Sequence, residues 1–233
     1  MKLRIISFDD KTFQDRWEAG VLLGVELKKN IREKPLILGI PRGGMVTAQA
    51  ISSVTGGEID IMLTHKIGAP DNPELAIGAI SENGQLFLNN NLVEDTGADR
   101  EYINSVKMEQ LEELKRRREL FRAVHPKIPL KDRVVVITDD GIATGATVQV
   151  ALWAARQERP KKLIGAFPVA PMGTLKKLNA DADEIICLKA PAIFYAISQF
   201  YLSFDQVTDE QVLNILREAN EQKKERAKKC AHN

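Results

Sequence analysis

The stretch VVVITDDGIATGATV, residues 134–148, joins a fully apolar run to two adjacent carboxylates and then to small residues and threonines. Asp139 and Asp140 repel each other, so at the end of a buried strand they need hydroxyl donors, cations or water as partners. The two vicinal hydroxyls of a ribose are such donors. In the small residues that follow, backbone N–H groups can approach an anion closely, and a helix start adds partial positive charge. The stretch therefore predicts a strand, a site for a sugar diol and a phosphate cradle, in that order.

Similar apolar runs recur on both sides of this stretch. Predicted strands span residues 36–40, 59–64, 134–138, 163–169 and 184–188, and predicted helices span 13–30, 45–54, 98–122, 148–158, 171–179 and 208–222. Residues 65–74 have the composition of a loop, and SENG between 75–80 and 85–89 predicts a hairpin. Because helices alternate with nearly all-apolar strands, we expect one doubly wound α/β domain over residues 1–233 with a mainly parallel sheet.

Two helices carry apolar stripes that predict their buried faces. The stripe of the first helix is formed by Phe13, Trp17, Val21, Leu22 and Val25, and that of the long helix by Ile103, Val106, Leu111, Leu114 and Phe121. The polar face of the long helix interleaves acidic and basic residues, which is typical of a solvated surface and not of a nucleic-acid contact.

The composition excludes several classes of protein. The formal net charge of +1 gives no global field that favours nucleic acid or membrane partners. The chain has no apolar run of the roughly 20 residues that span a bilayer. Cys187 and Cys230 share no motif spacing with each other or with the three histidines, which argues against a zinc site and for a reducing compartment. We therefore expect a cytoplasmic protein.

The loop after Asp140 does not match the commonest nucleotide motifs. It contains no lysine, so it is not the Walker loop GxxxxGK[ST], and its spacing is not GxGxxG. Nucleoside triphosphate hydrolysis and dinucleotide binding are both disfavoured.

VVVITDDGIATGAT resembles the 5-phosphoribosyl-1-pyrophosphate (PRPP) signature of type I phosphoribosyltransferases. The segments DRWEAG, IPRGG, HKIGAPDNPELAIGAI, FYAISQFYLSF and DEQV extend the resemblance over nearly the whole chain, to a bacterial and archaeal branch of predicted phosphoribosyltransferases. The resemblance implies transfer of the 5-phosphoribosyl group from PRPP to a nitrogen nucleophile, with release of pyrophosphate. It also implies Mg²⁺ bound mainly through substrate and water, and a homodimer.

The resemblance assigns roles to residues of this chain. The catalytic residues would be Asp139, Asp140, Arg42 and Lys66; the 5-phosphate would be bound by Gly141, Ile142, Ala143, Thr144, Gly145, Ala146 and Thr147, and the pyrophosphate by Pro41, Arg42, Gly43 and Gly44. Taken alone, PRGG is also compatible with a simple strand-to-helix turn, and Lys66 with a solvated lysine. Residues 67–80 would be a mobile flap, with Glu74 as a candidate acid or base and His65 structural.

The resemblance also marks out the small elements that would cover the site. The flap and hairpin span about 66–90, and a C-terminal hood of about 189–222 would form the acceptor pocket. Phe194 and Tyr195 could stack on a planar acceptor, although core packing explains most of the hood aromatics equally well.

One position narrows the range of possible acceptors. Enzymes of the 6-oxopurine branch have an acid three residues after the second aspartate, where this chain has Ala143. Hypoxanthine and guanine are therefore disfavoured, while adenine-, orotate- and uracil-type acceptors and substrates that are not bases stay open. The alternative function is a non-catalytic regulator that senses PRPP or nucleotides. A hydrolase is disfavoured because neither GxSxG nor HExxH occurs.

Overall fold

The computed structural model describes the backbone of residues 2–231 and the side chains of residues 2–225, so the Cys230 side chain lies outside the described residues. The strands are β1 (Lys2–Ser7), β2 (Leu36–Gly39), β3 (Glu58–Ile61), β4 (Thr64–Ala69), β5 (Asn72–Ser81), β6 (Leu86–Leu88), β7 (Val134–Thr138), β8 (Lys162–Val169) and β9 (Glu184–Lys189). The helices are α1 (Arg16–Lys28), α2 (Gly43–Thr55), α3 (Asn90–Thr96), α4 (Arg100–Arg122), α5 (Ala146–Gln157), α6 (Met172–Leu178) and α7 (Asp209–Ala231). A 3₁₀ helix spans Ile197–Phe200.

Six of these strands form one fully parallel sheet in the order β1-β9-β8-β7-β2-β3. Alternate residues of each central strand enter different cores. Ile37 and Val136 pack with α1, α2 and α7, whereas Leu36 and Val135 pack with α5 and α6. Helices thus cover both faces of the sheet, which confirms the predicted doubly wound α/β fold.

The order of the strands reverses between β2 and β7. From β2 the chain crosses through α2 to β3 on one side, and from β7 it crosses through α5 to β8 on the other. Gly39 at the end of β2 lies beside Thr138 at the end of β7, and the N–H of Ile40 donates to the Thr138 carbonyl oxygen at 2.9 Å. Such a reversal leaves a crevice beyond the carboxyl ends of the strands, where open α/β sheets bind ligands.

A second sheet, antiparallel and three-stranded in the order β4-β5-β6, stands beside the first. Its β5–β6 pair confirms the hairpin predicted around SENG. The loop predicted over residues 65–74 is wrong, because most of it is β4 and the start of β5. The turn residues occupy only the tip between Ala69 and Asn72, and Pro73 is tolerated in a strand because the register shifts beside it.

The buried face of α1 was also predicted wrongly. Trp17, Leu22 and Val25 are exposed, and the helix instead buries a face of small and aliphatic residues against α2. Glycines allow this close approach: a Cβ on Gly20 would lie 2.6 Å from the Cβ of Ala50. The prediction of a helix was right, but the predicted buried face was wrong. The face that packs on α2 is selected by its small side chains, which allow close packing, and not by the hydrophobicity of its residues.

Three further elements differ from the prediction. β1 was not predicted at all; it is a short edge strand with charged residues that pairs only with β9. The run 59–64 breaks after Ile61, and its last residue opens β4 in the other sheet. The long helix begins at Arg100 after the separate helix α3, but its predicted stripe is buried or partly buried as expected.

Within the described residues, no helix combines the length and hydropathy needed to cross a membrane.

Candidate active site

The acid pair and the PRGG loop meet at the crevice between β2 and β7. Asp139 and Asp140 follow β7 directly, and Gly43 and Gly44 open α2. The glycines lie against the carboxylates so closely that a side chain would not fit. A Cβ on Gly43 would lie 2.6 Å from the Asp140 carboxyl carbon, and one on Gly44 would lie 2.9 Å from the Asp139 Cα. The two segments that the sequence assigned to ribose and pyrophosphate therefore form one surface.

The PRGG loop leaves its arginine available. The peptide bond between Pro41 and Arg42 is cis. Arg42 is exposed, and no hydrogen bond or ion pair of its side chain occurs within the described part of the chain. A guanidinium in this state offers its full set of donors to an anion.

The two carboxylates differ in their electrostatic surroundings. Asp140 Oδ2 accepts a hydrogen bond from Arg16 Nε at 2.7 Å. Asp139 has no cation in contact among the described residues; its Oδ1 accepts from the Asp140 backbone N–H at 2.8 Å. Burial and the neighbouring Asp140 charge raise the pKa of Asp139 well above its ordinary value, and Arg16 opposes this only weakly. The pair is therefore split into one ion-paired carboxylate and one that holds a proton more readily.

The predicted phosphate loop has a buried framework and an exposed polar rim. Ile142 is buried, and its N–H donates to the Val169 carbonyl oxygen at 2.9 Å. Gly145 has φ +85°, a conformation that L side chains rarely adopt, and it precedes the first turn of α5. Thr144 and Thr147 are exposed, and neither hydroxyl has a partner among the described residues. The first N–H groups of a helix have no partner within the helix, so the start of α5 and the two threonine hydroxyls supply hydrogen-bond donors in the same loop.

Ala143 is exposed in the same loop, and its carbonyl oxygen accepts from the Thr174 hydroxyl at 2.9 Å. No carboxylate replaces the missing acid within the loop itself, whose residues 141–147 are all neutral.

Lys66 and Glu74, which the sequence assigned to different tasks, contact each other across the β4–β5 hairpin. Lys66 Nζ lies 2.8 Å from Glu74 Oε1, and Glu74 is 68% exposed. Lys66 also lines a cavity of about 220 Å³ together with Pro41 and Thr147, which places it beside both predicted anion loops. His65 lines the same cavity, and burial lowers its pKa, with the Arg117 and Lys66 charges acting in the same direction.

The hood is a loop with one short 3₁₀ helix, followed by α7. Phe194 packs on Phe200 with ring centroids 5.2 Å apart, whereas Tyr195 is 87% exposed. Ile197 packs against the predicted phosphate loop, since a Cβ on Gly141 would lie only 2.6 Å from the Ile197 Cγ2. The hood thus supports the loop from outside, and the proposed stacking of an acceptor on Phe194 or Tyr195 stays a prediction.

Sequence reasoning missed three residues that surround Asp140. Arg16 binds its carboxylate, the Tyr201 hydroxyl donates to its carbonyl oxygen at 2.5 Å, and Phe204 stacks with Tyr201 and against Arg16. The partners of Arg16 lie more than a hundred positions away along the chain, so no local pattern connects them. Arg16 lies on the buried face of α1, which the sequence did not predict, so its need for an acidic partner becomes visible only in the structure.

The arrangement offers few ligands for a metal ion. Within the described residues no cluster of three or more His, Cys, Asp or Glu side chains is placed to hold one. A cation here would need oxygens from a ligand in addition to the acid pair.

Comparisons with known proteins agree with this geometry. The family model described as "Phosphoribosyl transferase domain" matches residues 16–205. Two Mycobacterium tuberculosis proteins, MT0597 of strain CDC 1551 and Rv0571c of strain H37Rv, are provisionally named phosphoribosyl transferases; each is 39% identical over 210 residues, which is 90% of this chain. The chain spans only 47% of their length. A crystal structure of TT1426 from Thermus thermophilus is 42% identical, with a TM-score of 0.85 over 89% of this chain and 98% of that one. The chain belongs to the phosphoribosyltransferase family.

Proposed function

We propose that the protein transfers the 5-phosphoribosyl group of PRPP to a nitrogen nucleophile and releases pyrophosphate. The observation that carries the proposal is the joint surface of the two loops, in which Gly43 and Gly44 lie against the acid pair and the neutral loop 141–147 follows it directly. A phosphorylated ribose has the same order of groups, with a phosphate at one end, a diol in the middle and a pyrophosphate at C1.

Each part of the surface has a chemical task in this reaction. Asp139 and Asp140 accept from the ribose hydroxyls and hold the ring while positive charge develops at C1. The loop 141–147 binds the 5-phosphate through backbone N–H groups and the hydroxyls of Thr144 and Thr147. Arg42 and the N–H groups of Gly43 and Gly44 stabilise the charge that collects on the departing pyrophosphate. Lys66 lies on the cavity side of the same loop and adds a second cation.

The donor set fits a magnesium ion of the kind that binds through few protein ligands. Mg²⁺ keeps several waters and usually takes one or two carboxylates plus substrate phosphates. Asp139, which has no cation partner in the described structure, and the oxygens of PRPP would supply that set. When bound, the ion would neutralise charge on the pyrophosphate.

We further propose that the acceptor is a base other than hypoxanthine or guanine. Ala143 offers no group that can exchange a proton, and Glu74, the other candidate, is held by Lys66. An acceptor that needs no strong general base is favoured by this arrangement. A homodimer and a cytoplasmic location belong to the same proposal, and sedimentation of the purified protein measures the first.

A sensor function is the second candidate. The ion pair of Glu74 with Lys66 and the lack of a charged residue in the loop 141–147 leave no evident general base in the described part of the site, which would suit a protein that binds PRPP without turnover. The two functions differ in one measurement. The protein is incubated with PRPP, Mg²⁺ and a panel of nucleobases and amines, and pyrophosphate and nucleotide are quantified. Formation of both products identifies a transferase, whereas tight binding without either product on the whole panel identifies a sensor.

Variants test the roles of the acids. Replacing both Asp139 and Asp140 by Asn should reduce PRPP-dependent chemistry by orders of magnitude without unfolding the protein. The matched control is Asp183→Asn, which makes the same chemical change in an ion pair with Arg156 at the opposite end of the sheet. Full activity of the double variant would refute the assignment.

A further inference from the structure

Arg16 occupies an unusual position for a residue at the start of a helix. Its side chain is only 11% exposed, and its guanidinium makes three different contacts. Nε donates to Asp140 Oδ2 at 2.7 Å, Nη1 donates to the Asp205 backbone carbonyl oxygen at 2.8 Å, and Cζ lies 3.7 Å from the centroid of the Phe204 ring. Arg16 thereby connects α1, the acid pair and the end of the hood.

The PRGG loop also packs against Arg16 and Asp140. A Cβ on Gly43 would lie 3.0 Å from Arg16 Nε, so the glycine leaves the space that the guanidinium needs to reach Asp140. The hydroxyl of Tyr201 fixes the backbone of Asp140 from the hood side. Arg16 therefore holds the Asp140 carboxylate, and Tyr201 holds the Asp140 backbone, before any ligand binds.

We propose that Arg16 is a positioning residue of the PRPP site, which holds the Asp140 carboxylate in the orientation that accepts the ribose hydroxyls. This inference rests on the proposed function. Without a cation, two adjacent half-buried carboxylates would turn apart or share protons, and the diol would lose one of its two acceptors. With Arg16 in place, the two carboxyl groups can remain side by side.

The contacts require arginine and not merely a positive charge. A lysine could keep an ion pair with Asp140, but it has no planar group to stack on Phe204 and cannot reach Asp140 and the Asp205 carbonyl in the same fixed geometry. Arg16→Lys should therefore retain part of the effect. Arg16→Gln removes the charge and should lose most of it.

A purely structural role would tie the hood to α1, and the conservative variant separates the two roles. Arg16→Lys keeps a positive charge beside Asp140 but loses the fixed contacts with Phe204 and the Asp205 carbonyl oxygen. Positioning of the carboxylate therefore predicts that Arg16→Lys retains part of the PRPP affinity that Arg16→Gln loses. Attachment of the hood alone predicts the same loss in both variants.

The experiment measures PRPP affinity by calorimetry with Mg²⁺ at one fixed pH for the parent protein, Arg16→Gln and Arg16→Lys. The control is Arg4→Gln, which removes a similarly buried arginine from its pairs with Glu26 and Glu184, away from the crevice. We expect a loss on the order of 100-fold for Arg16→Gln and a clearly smaller loss for Arg16→Lys.

Three results would overturn the inference while the proposed function stands: Arg16→Gln binds PRPP with the affinity of the parent, Arg16→Lys loses as much affinity as Arg16→Gln, or Arg4→Gln shows the same loss. If Arg16→Gln does not fold, Arg16→Lys decides. An affinity equal to that of the parent in that variant would overturn the inference, and a reduced affinity with a cooperative thermal transition would support it. Absence of PRPP binding by the parent protein overturns the proposed function itself.

Discussion

Replacing Gly43 by Ala perturbs the junction of the two anion loops with a single methyl group. The new Cβ would lie 2.6 Å from the Asp140 carboxyl carbon and 3.0 Å from Arg16 Nε. Carbon atoms in favourable contact are about 3.5–4.0 Å apart. The carboxyl group must therefore move by about 1 Å, or the first turn of α2 must move by the same amount, and both displacements separate the acid pair from the PRGG loop.

The size of the effect follows from that displacement. A misplacement of about 1 Å in a pre-organised site can cost on the order of 100-fold. At about 1.36 kcal/mol per factor of ten, this corresponds to about 2.7 kcal/mol of lost binding or transition-state stabilisation. The ion pair between Arg16 and Asp140 is disturbed by the same movement, so thermal stability should fall as well.

Calorimetric titration with PRPP and Mg²⁺, together with thermal unfolding, measures both effects. The matched control is Gly173→Ala in α6, where an added Cβ would meet no atom within 4 Å. This control should bind PRPP as the parent does and should be more stable by up to about 1 kcal/mol, because alanine favours the helix over glycine. Parent-like PRPP affinity of Gly43→Ala would refute the reasoning that the glycine is required by the acid pair.

The remaining predictions concern stability and reactivity. The folded-state pKa of Asp139 is raised, so the contribution of this carboxyl group to stability falls as the pH rises above its ordinary pKa of 3.8. Asp139→Asn should therefore raise the melting temperature at neutral pH, and a lower melting temperature in thermal scans would contradict this. Burial raises the pKa of the Cys187 thiol to about 12, so a thiol reagent should label it only after unfolding, as mass spectrometry of native and denatured samples can show. Arg122→Leu should cost about 3–5 kcal/mol in urea unfolding, because it leaves the buried Asp60 carboxylate without its arginine and Glu82 with Lys127 as its remaining cation. The exposed Arg217→Leu should cost less than about 1 kcal/mol, and equal losses would contradict the prediction.

The parts of the fold that the sequence predicted are those whose local pattern and tertiary environment agree. β2, β7, β8 and β9 are buried on both faces, and such strands read as continuous apolar runs. The acid pair could be placed because it follows β7 without interruption. In a parallel sheet the end of a strand already fixes the edge at which its next residues lie.

The parts that could not be predicted depend on neighbours that are distant along the chain. In the described part of the chain, the only strand that pairs with β1 is β9. The six residues of β1 do not alternate regularly between apolar and polar, so the sequence does not predict a strand there. The β4–β5 hairpin contains proline and glycine, which in the sequence indicate a loop. Its strands tolerate them because the register shifts interrupt the ladder where proline cannot donate a hydrogen bond. Arg16 contacts Asp140 across 124 positions, and only the folded chain shows the pair.

The hood residues divide into two groups, and the division bears on where acceptor choice can arise. Phe200, Tyr201 and Phe204 are tied through ring contacts and hydrogen bonds to the core, to Asp140 and to Arg16. Substitutions there should disturb the proposed PRPP site before they alter any preference among acceptors. Tyr195 differs, since its ring is exposed while its N–H donates to the Gln199 side chain at 2.8 Å, which fixes the backbone that carries it. Tyr195 is therefore the hood aromatic whose ring is free to stack on a planar acceptor. If it does so, Tyr195→Ala should raise the KM for the acceptor and leave PRPP affinity unchanged, and an unchanged KM would exclude the stacking.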